Sequence, residues 1–249
     1  MIRVSIFNEF YHERHKDNVK AIYPDGMHAT IAEFLGAEED ITVRTFTQNE
    51  DGDCPELTEE ALRETDVLLW WGHVRHDLIP DELAKRVQNA VLCGMGFVPL
   101  HSAHHSKPFR LLMGTPCHLS WRENGDLERV WVVDPAHPIA QGIDTYFELN
   151  GEEAYTEPFL IPEPDHLVFI GWYEGGEVFR SGCCFLRGNG RIFYFQPGHE
   201  TFPTFHNPAV QTVIKNAVRW AAPIRRDAEL LCPHVQKPTV GVPGSHRLP

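Results

Sequence analysis

Three apolar runs in this chain end alike. Val67-Leu68-Leu69-Trp70-Trp71 passes through Gly72 to His73, Phe97-Val98-Pro99-Leu100 meets His101 directly, and Ile192-Phe193-Tyr194-Phe195 reaches His199-Glu200 through Gln196-Pro197-Gly198. Short continuous apolar runs bounded by Gly or Pro describe strands buried on both faces, the habit of a parallel sheet. Parallel strands bring their carboxyl ends to one edge, where open α/β folds place their ligands. The three histidine-bearing ends are therefore expected to meet in one site.

The intervening segments suit that frame. Residues 2–7 form a β-branched run fit for a central strand, with Glu9 and His12 where it should emerge, and residues 41–46 form a second strand. Helices are expected after a cap at Asp25, with Ile31, Phe34 and Leu35 inward, over 58–62, over 80–87, and from Pro108 onward. Asn207 as cap, Pro208 at the first position and the stripe Val210, Val213, Ile214, Ala217 and Ala221 specify another. From 121 to 191, strand-like runs at 129–133, 167–172 and 177–186 follow one another without helical spacing. That predicts an antiparallel extension, with Gly188-Asn189-Gly190 as a hairpin turn. Gly94-Met95-Gly96 precedes its strand instead of following one, so it reads as a turn and not as a phosphate loop.

Residues 1–222 thus read as a single α/β domain and 223–249 as an extended tail, whose prolines and Gly241 and Gly244 forbid a helix. The tail is expected to run over its own domain or to pack on a second copy, making a homo-oligomer. A net charge of −13 gives neither a phosphate-binding face nor a polybasic membrane anchor, so neither nucleic acid nor membrane is an expected partner. No apolar run approaches the roughly 18 residues of a membrane span, and the chain enters a strand without a signal-peptide pattern. A cytoplasmic location is expected. The six cysteines show no paired spacing and read as reduced thiols.

The 15 histidines are the unusual component, and they cluster. His73, His101 and His199 have the chemistry of ligands for a divalent metal, zinc or similar, with Glu9 or Glu200 completing the set. The same groups could instead be metal-free acid/base imidazoles in a polar cleft, with His101 and His199 central, Glu9 flanking and Glu200 orienting. His12, Ser102, His104 and Trp71 are the candidate substrate contacts. Trp70 and Trp71 alternate across a strand, so one of them faces each side; each is also a natural core residue.

Together Trp70-Trp71-Gly72-His73, Gly96 through Ala103, and Pro197-Gly198-His199-Glu200 resemble the trehalose-utilisation (ThuA-like) family of the class I glutamine amidotransferase-like superfamily. The resemblance covers residues 1 to 222. It implies a flavodoxin-like three-layer sandwich with a mainly parallel central sheet, and a small-molecule sugar substrate, a disaccharide or keto-sugar, in carbohydrate catabolism. Laying the amidotransferase elbow onto this chain puts His101 at the position of the cysteine nucleophile, so glutamine amidotransferase activity is not expected. His199 matches the family base, but Glu200 follows it immediately where the family spaces its carboxylate two residues on. Ser102 is the one fallback nucleophile. The alternative to an enzyme is a non-catalytic sugar- or metal-binding protein on the same scaffold.

Overall fold

In the computed structural model, which describes residues 1–230, the expected strands all enter one nine-stranded sheet. β1 (Ile2–Asn8) is flanked by β2 (Ile41–Thr47) and β3 (Val67–Trp71), and β4 (Gly96–Leu100) follows β3, all parallel. Then come β5 (Ser120–Val132), β6 (Tyr146–Thr156), β7 (His166–Tyr173) and β8 (Val178–Arg187), which pair antiparallel. β9 (Gly190–Phe195) joins the two parts, antiparallel to β8 and parallel to β4. The order is β2-β1-β3-β4-β9-β8-β7-β5-β6. β3, β4 and β9 are consecutive, with Trp71 opposite Leu100 and Leu100 opposite Phe195, so their histidine-bearing ends stand side by side.

Strand alternation divides the core. Leu69, Trp71, Val98, Leu100 and Phe193 face α2 (Asp17–Ile22), α3 (Met27–Gly36) and α7 (Pro208–Ala221), the first of these preceded by the single turn α1 (His12–His15). Leu68, Trp70, Phe97, Ile192 and Tyr194 face α4 (Glu59–Arg63), α5 (Asp81–Leu92) and α6 (Lys107–Met113). Helices on both faces explain why these strands carry no polar alternation. The side chain of Thr58 caps α4, that of Ser106 caps α6 and that of Asn207 caps α7. The stripe on α7 is wholly buried, each Val or Ile contributing roughly 1.5–3 kcal/mol.

Three expectations need correction. Asp25 does not cap α3: the N-cap is Gly26, and the buried Glu13 carboxylate accepts from the Met27 N–H instead. β5 begins at Ser120, not 129, and β6 lies where no strand was expected. The Gly, Asn and Glu content of β6 is depleted in strands generally, and pairing with β5 overrides it.

The first residues of the tail cross the edge of the sheet opposite the histidines. The Asp227 N–H bonds the Cys93 carbonyl, and Arg226 donates to the Leu62 carbonyl. Gly94 is the turn residue this permits: at φ +116° it lies so near the Arg225 carbonyl that a β-carbon would stand 2.2 Å from that oxygen. The remainder of the tail, residues 231–249, on which an expected contact with a second copy also rests, lies outside the described residues. Among the described residues no helix is long and apolar enough to cross a membrane.

Candidate functional site

β4 delivers its chemistry by a sharp turn. His101 takes φ +52°, a left-handed conformation that a β-carbon disfavours, and a short 3-10 turn over His101–His105 then leads into α6. The imidazole is fully buried, not standing in an open cleft as the strand-end argument expected. Its Nδ1 donates to the Gln196 carbonyl at 2.9 Å, because a carbonyl can only accept, and Nε2 is thereby aimed at the neighbouring groups. That nitrogen lies 3.0 Å from Glu153 Oε2.

The three expected histidines do come together, and a residue the sequence reading missed joins them. One donor atom from each of His73, His101, His199 and Glu153 falls within 4.8 Å of the others. His199 Nε2 is 4.0 Å from Glu153 Oε2, 3.5 Å from Glu200 Oε2 and 3.8 Å from Glu123 Oε1. His199 Nε2 is buried with no hydrogen-bond partner, and the one close group at Glu153 Oε2 is His101 Nε2. A second group abuts the first: His73 Nδ1 is 3.0 Å from His12 Nε2 and 3.3 Å from Glu200 Oε2. Glu200 also meets His12 Nδ1 at 3.4 Å and Lys16 Nζ at 3.3 Å. Glu200 thus orients His73 and His12 more than it completes a triad with His199.

Two further carboxylates hold the loops. Glu9 is buried and accepts the backbone N–H groups of His73, Val74 and Arg75 at 2.7–3.1 Å, so it fixes the turn after β3 and contacts no cluster atom. Glu152, on β6, accepts from the N–H groups of Gly198 and His199 and from the Thr204 hydroxyl, doing the same for the turn after β9. Trp71 is buried, and its indole N–H donates to the Gly198 carbonyl at 2.9 Å.

Beside the cluster lies a cavity of about 410 Å³, within the range of small-molecule sites. His73, Ser102, His104 and Glu153 line it. Ser102 Oγ is 2.8 Å from the Tyr155 hydroxyl, and Tyr155 stacks on the His101 ring at 5.1 Å, so no base addresses Ser102 directly. His104 donates Nδ1–H to the Cys117 carbonyl.

Burial sets most of the charge states. It pushes the His199 imidazole down to about 3, with His101 adding to the shift, and His12 to about 4. His104 falls to about 3 for the same reason. At His101 burial also pulls downward, but the hydrogen bond and charge of Glu153, with Glu152 behind it, outweigh it and hold the group above its ordinary value. Glu153 is correspondingly lowered: burial opposes its ionisation, and His101 more than offsets that. Glu200 is driven well below the carboxylate range, against burial, by the hydrogen bond and charge of His73 and by His199 and His12. At pH 7 the site therefore holds ionised Glu153 and Glu200 against neutral His12, His104 and His199.

Such a donor set can hold a divalent cation. Atoms bound tetrahedrally to one zinc at about 2.0–2.2 Å stand roughly 3.3–3.6 Å apart, so the widest pairs of the set must close by about 1 Å. The same atoms can exchange protons with a bound hydroxyl or carbonyl compound.

A family model described as trehalose utilisation (ThuA) matches residues 3–221. Among solved structures, a ThuA-like protein from Parabacteroides merdae superposes with a TM-score of 0.68 at 14% identity over 92% of each chain. One from Bacteroides uniformis gives 0.63 at 16% identity over 88% of this chain and 91% of its own. A cytoplasmic protein from Salmonella typhimurium LT2 gives 0.61 at 12% identity, over 89% of this chain and all of its own. At these identities the likeness concerns the fold. No curated protein matches the sequence.

Proposed function

The chain belongs to the ThuA family, and from that premise we propose that it is a carbohydrate-modifying enzyme with a divalent metal centre formed by His73, His101, His199 and Glu153. Its substrate is a trehalose-like disaccharide or a keto-sugar. The parallel strand order β2-β1-β3-β4-β9 supports the flavodoxin-like, amidotransferase-related architecture. Amidotransfer is not part of the reading, since an imidazole occupies the nucleophile's turn.

One observation carries the proposal: His199 Nε2 is buried without a hydrogen-bond partner, and it converges with Glu153 Oε2 and His101 Nε2. A buried polar atom left unpaired costs roughly 1–3 kcal/mol, which a metal-free hydrogen-bonded cluster would avoid and a cation would remove. The arrangement around the centre has the form common to metal sites, in which a ligand imidazole gives its other nitrogen to a carboxylate or carbonyl. His101 does so to Gln196 and His73 to Glu200.

A zinc-like cation would polarise a sugar carbonyl or hydroxyl oxygen. Glu200, ionised and next to both His73 and His199, would hold these imidazoles in position, and the polar network through His12 and Lys16 leads outward from it. A cytoplasmic location completes this reading.

The test is metal analysis of the purified protein followed by turnover of trehalose, related disaccharides and their 3-keto derivatives. Retention of roughly one ion per chain, lost on chelation together with turnover, is the expected result. Protein that takes up no divalent metal when supplied with it refutes the metal centre, and a metal-loaded protein that turns over none of the sugars refutes the enzyme.

A further inference from the structure

The cavity beside the cluster has features that the metal centre leaves unexplained. Trp121 projects into its mouth with 65% of its surface exposed, although an indole is normally covered. His76 lies deep in the wall, 7% exposed, with Nε2 buried and unpartnered. His105 and His118 stand next to it, with ring centroids 5.7 Å from His76 to His105 and 5.3 Å from His105 to His118. His76, His105 and His118 are not among the groups whose donor atoms come close enough to share an ion, so a second metal does not account for them.

Strand geometry fixes where Trp121 lies relative to the chemistry. Trp121 is opposite Tyr155 in the β5–β6 register, so both side chains share a face, and Tyr155 stacks on His101. Glu123, two residues along the same strand, reaches to 3.8 Å from His199 Nε2. Residues two apart on a strand lie on one face about 6.5–7 Å apart, so Trp121 shares the face of the strand from which Glu123 reaches the cluster.

We infer that this cavity is a subsite for the non-reacting ring of an unphosphorylated glycoside, with the ring face on Trp121 and its hydroxyls bonded to His76, His105 and His118. A pyranose has an apolar C–H face and a rim of hydroxyls that both donate and accept. An indole matches the first and imidazole nitrogens match the second. A wholly apolar ligand would leave His76 Nε2 unpartnered. A phosphorylated or carboxylated ligand would meet Glu123 and Glu153 with no lysine or arginine among the described lining residues to balance its charge. The inference deepens the proposed function and rests on it for the identity of the reacting group, but the subsite is a binding claim testable without turnover.

The experiment is isothermal titration of the full-length protein, as purified, with trehalose, maltose, sucrose and cellobiose, and with trehalose 6-phosphate and sucrose 6-phosphate. It is repeated on Trp121→Ala, Trp121→Phe and His76→Ala, with bound metal measured on each. At least one neutral disaccharide should bind, about tenfold more weakly to Trp121→Ala and nearly as well to Trp121→Phe, which keeps an aromatic face. His76→Ala should weaken the same sugar, the phosphorylated sugars should bind more weakly than their parents, and metal content should be unchanged throughout. The subsite is overturned if no neutral disaccharide binds, if Trp121→Ala binds it like the parent protein, or if a phosphorylated sugar binds best. Metal retained without disaccharide binding would reject the subsite alone. Disaccharide binding that depends on Trp121 in a protein holding no metal would reject the metal centre alone.

Discussion

His101 combines two demands that a single residue seldom meets. Its backbone sits at φ +52°, where a β-carbon costs roughly 1–2 kcal/mol, and its side chain is buried between the Gln196 carbonyl and Glu153. Strain of that kind persists when the surrounding structure holds the residue in place for a purpose. The two demands separate by mutation. His101→Ala and His101→Gly should both abolish bound metal, and both should lose roughly 1–3 kcal/mol from the carbonyl left unpaired. The glycine variant should nonetheless be the more stable of the two by about 1 kcal/mol, because it relieves the backbone. Melting temperature and metal content measured on both variants check this, and full metal content in His101→Ala would remove the residue from the site. Glu153 makes the complementary case. Glu153→Gln keeps the shape but removes the ionised oxygen facing His101 and His199, so metal affinity should fall while the disaccharide subsite at Trp121 stays intact; equal metal affinity in a competition titration would count against its role as a ligand.

At the scale of elements, the site is a set of strand ends whose turns are clamped by carboxylates. Glu9 takes three backbone N–H groups of the turn carrying His73, and Glu152 takes two from the turn carrying His199. Glu9→Gln substitutes a donor for one acceptor oxygen in a cradle made only of donors. It should therefore lower stability by roughly 1–3 kcal/mol and weaken metal binding about 10- to 100-fold without removing any ligand. A metal titration of Glu9→Gln indistinguishable from the parent would show that the turn holds its shape unaided. These clamps also show what the sequence could and could not disclose. The runs before His73, His101 and His199 were legible because strands buried on both faces leave an unbroken apolar signature with a Gly or Pro stop. Glu152, Glu153, Tyr155 and Trp121 were not, because β6 and the start of β5 are rich in polar residues and Gly, and their strand state comes from pairing with each other. Glu9 was legible as a strand-end carboxylate, but its role as a clamp depends on which N–H groups turn toward it, and spacing carries no information on that. Adjacent glutamates followed by Ala-Tyr were the available signal, since paired acids with short apolar neighbours suit a buried polar strand better than a solvated loop.

For the whole molecule, the burial of so many imidazoles makes stability depend on pH in a direction that can be worked out. Below pH 6.5 the unfolded chain takes up protons at His12, His28, His104 and His199. The folded chain refuses them until the pH nears about 4 at His12 and His28 and about 3 at His104 and His199. The unfolded state then holds more protons, so stability falls as the pH falls through this window. Glu153 and Glu200, lowered in the folded state, contribute stability that is present above 4.5 and is lost as the pH drops through their folded values, which reinforces the acid loss. His101 runs the other way: it is raised by Glu153, its contribution is complete below 6.5, and it fades as the pH rises past its folded value. Glu13, Glu128 and Glu152, raised by burial, run the same way as His101, and His76, His105 and His137, lowered by burial, join the acid loss, so seven lowered imidazoles stand against four raised groups and the acid limb dominates. Chelated protein should therefore lose melting temperature steadily from pH 6.5 to 5 and again to 4. The proposed metal would add a second slope of the same sign, since His101 would have to give up its proton to become a ligand and protons would compete for it. The stabilisation that metal confers should shrink as the pH falls, so that loaded and chelated melting curves converge toward pH 5. Thermal melts at matched ionic strength with and without chelator measure both slopes. Chelated protein with a constant melting temperature between pH 6.5 and 5 would mean that these imidazoles are not buried in solution, and the site geometry built on them would fail with that result.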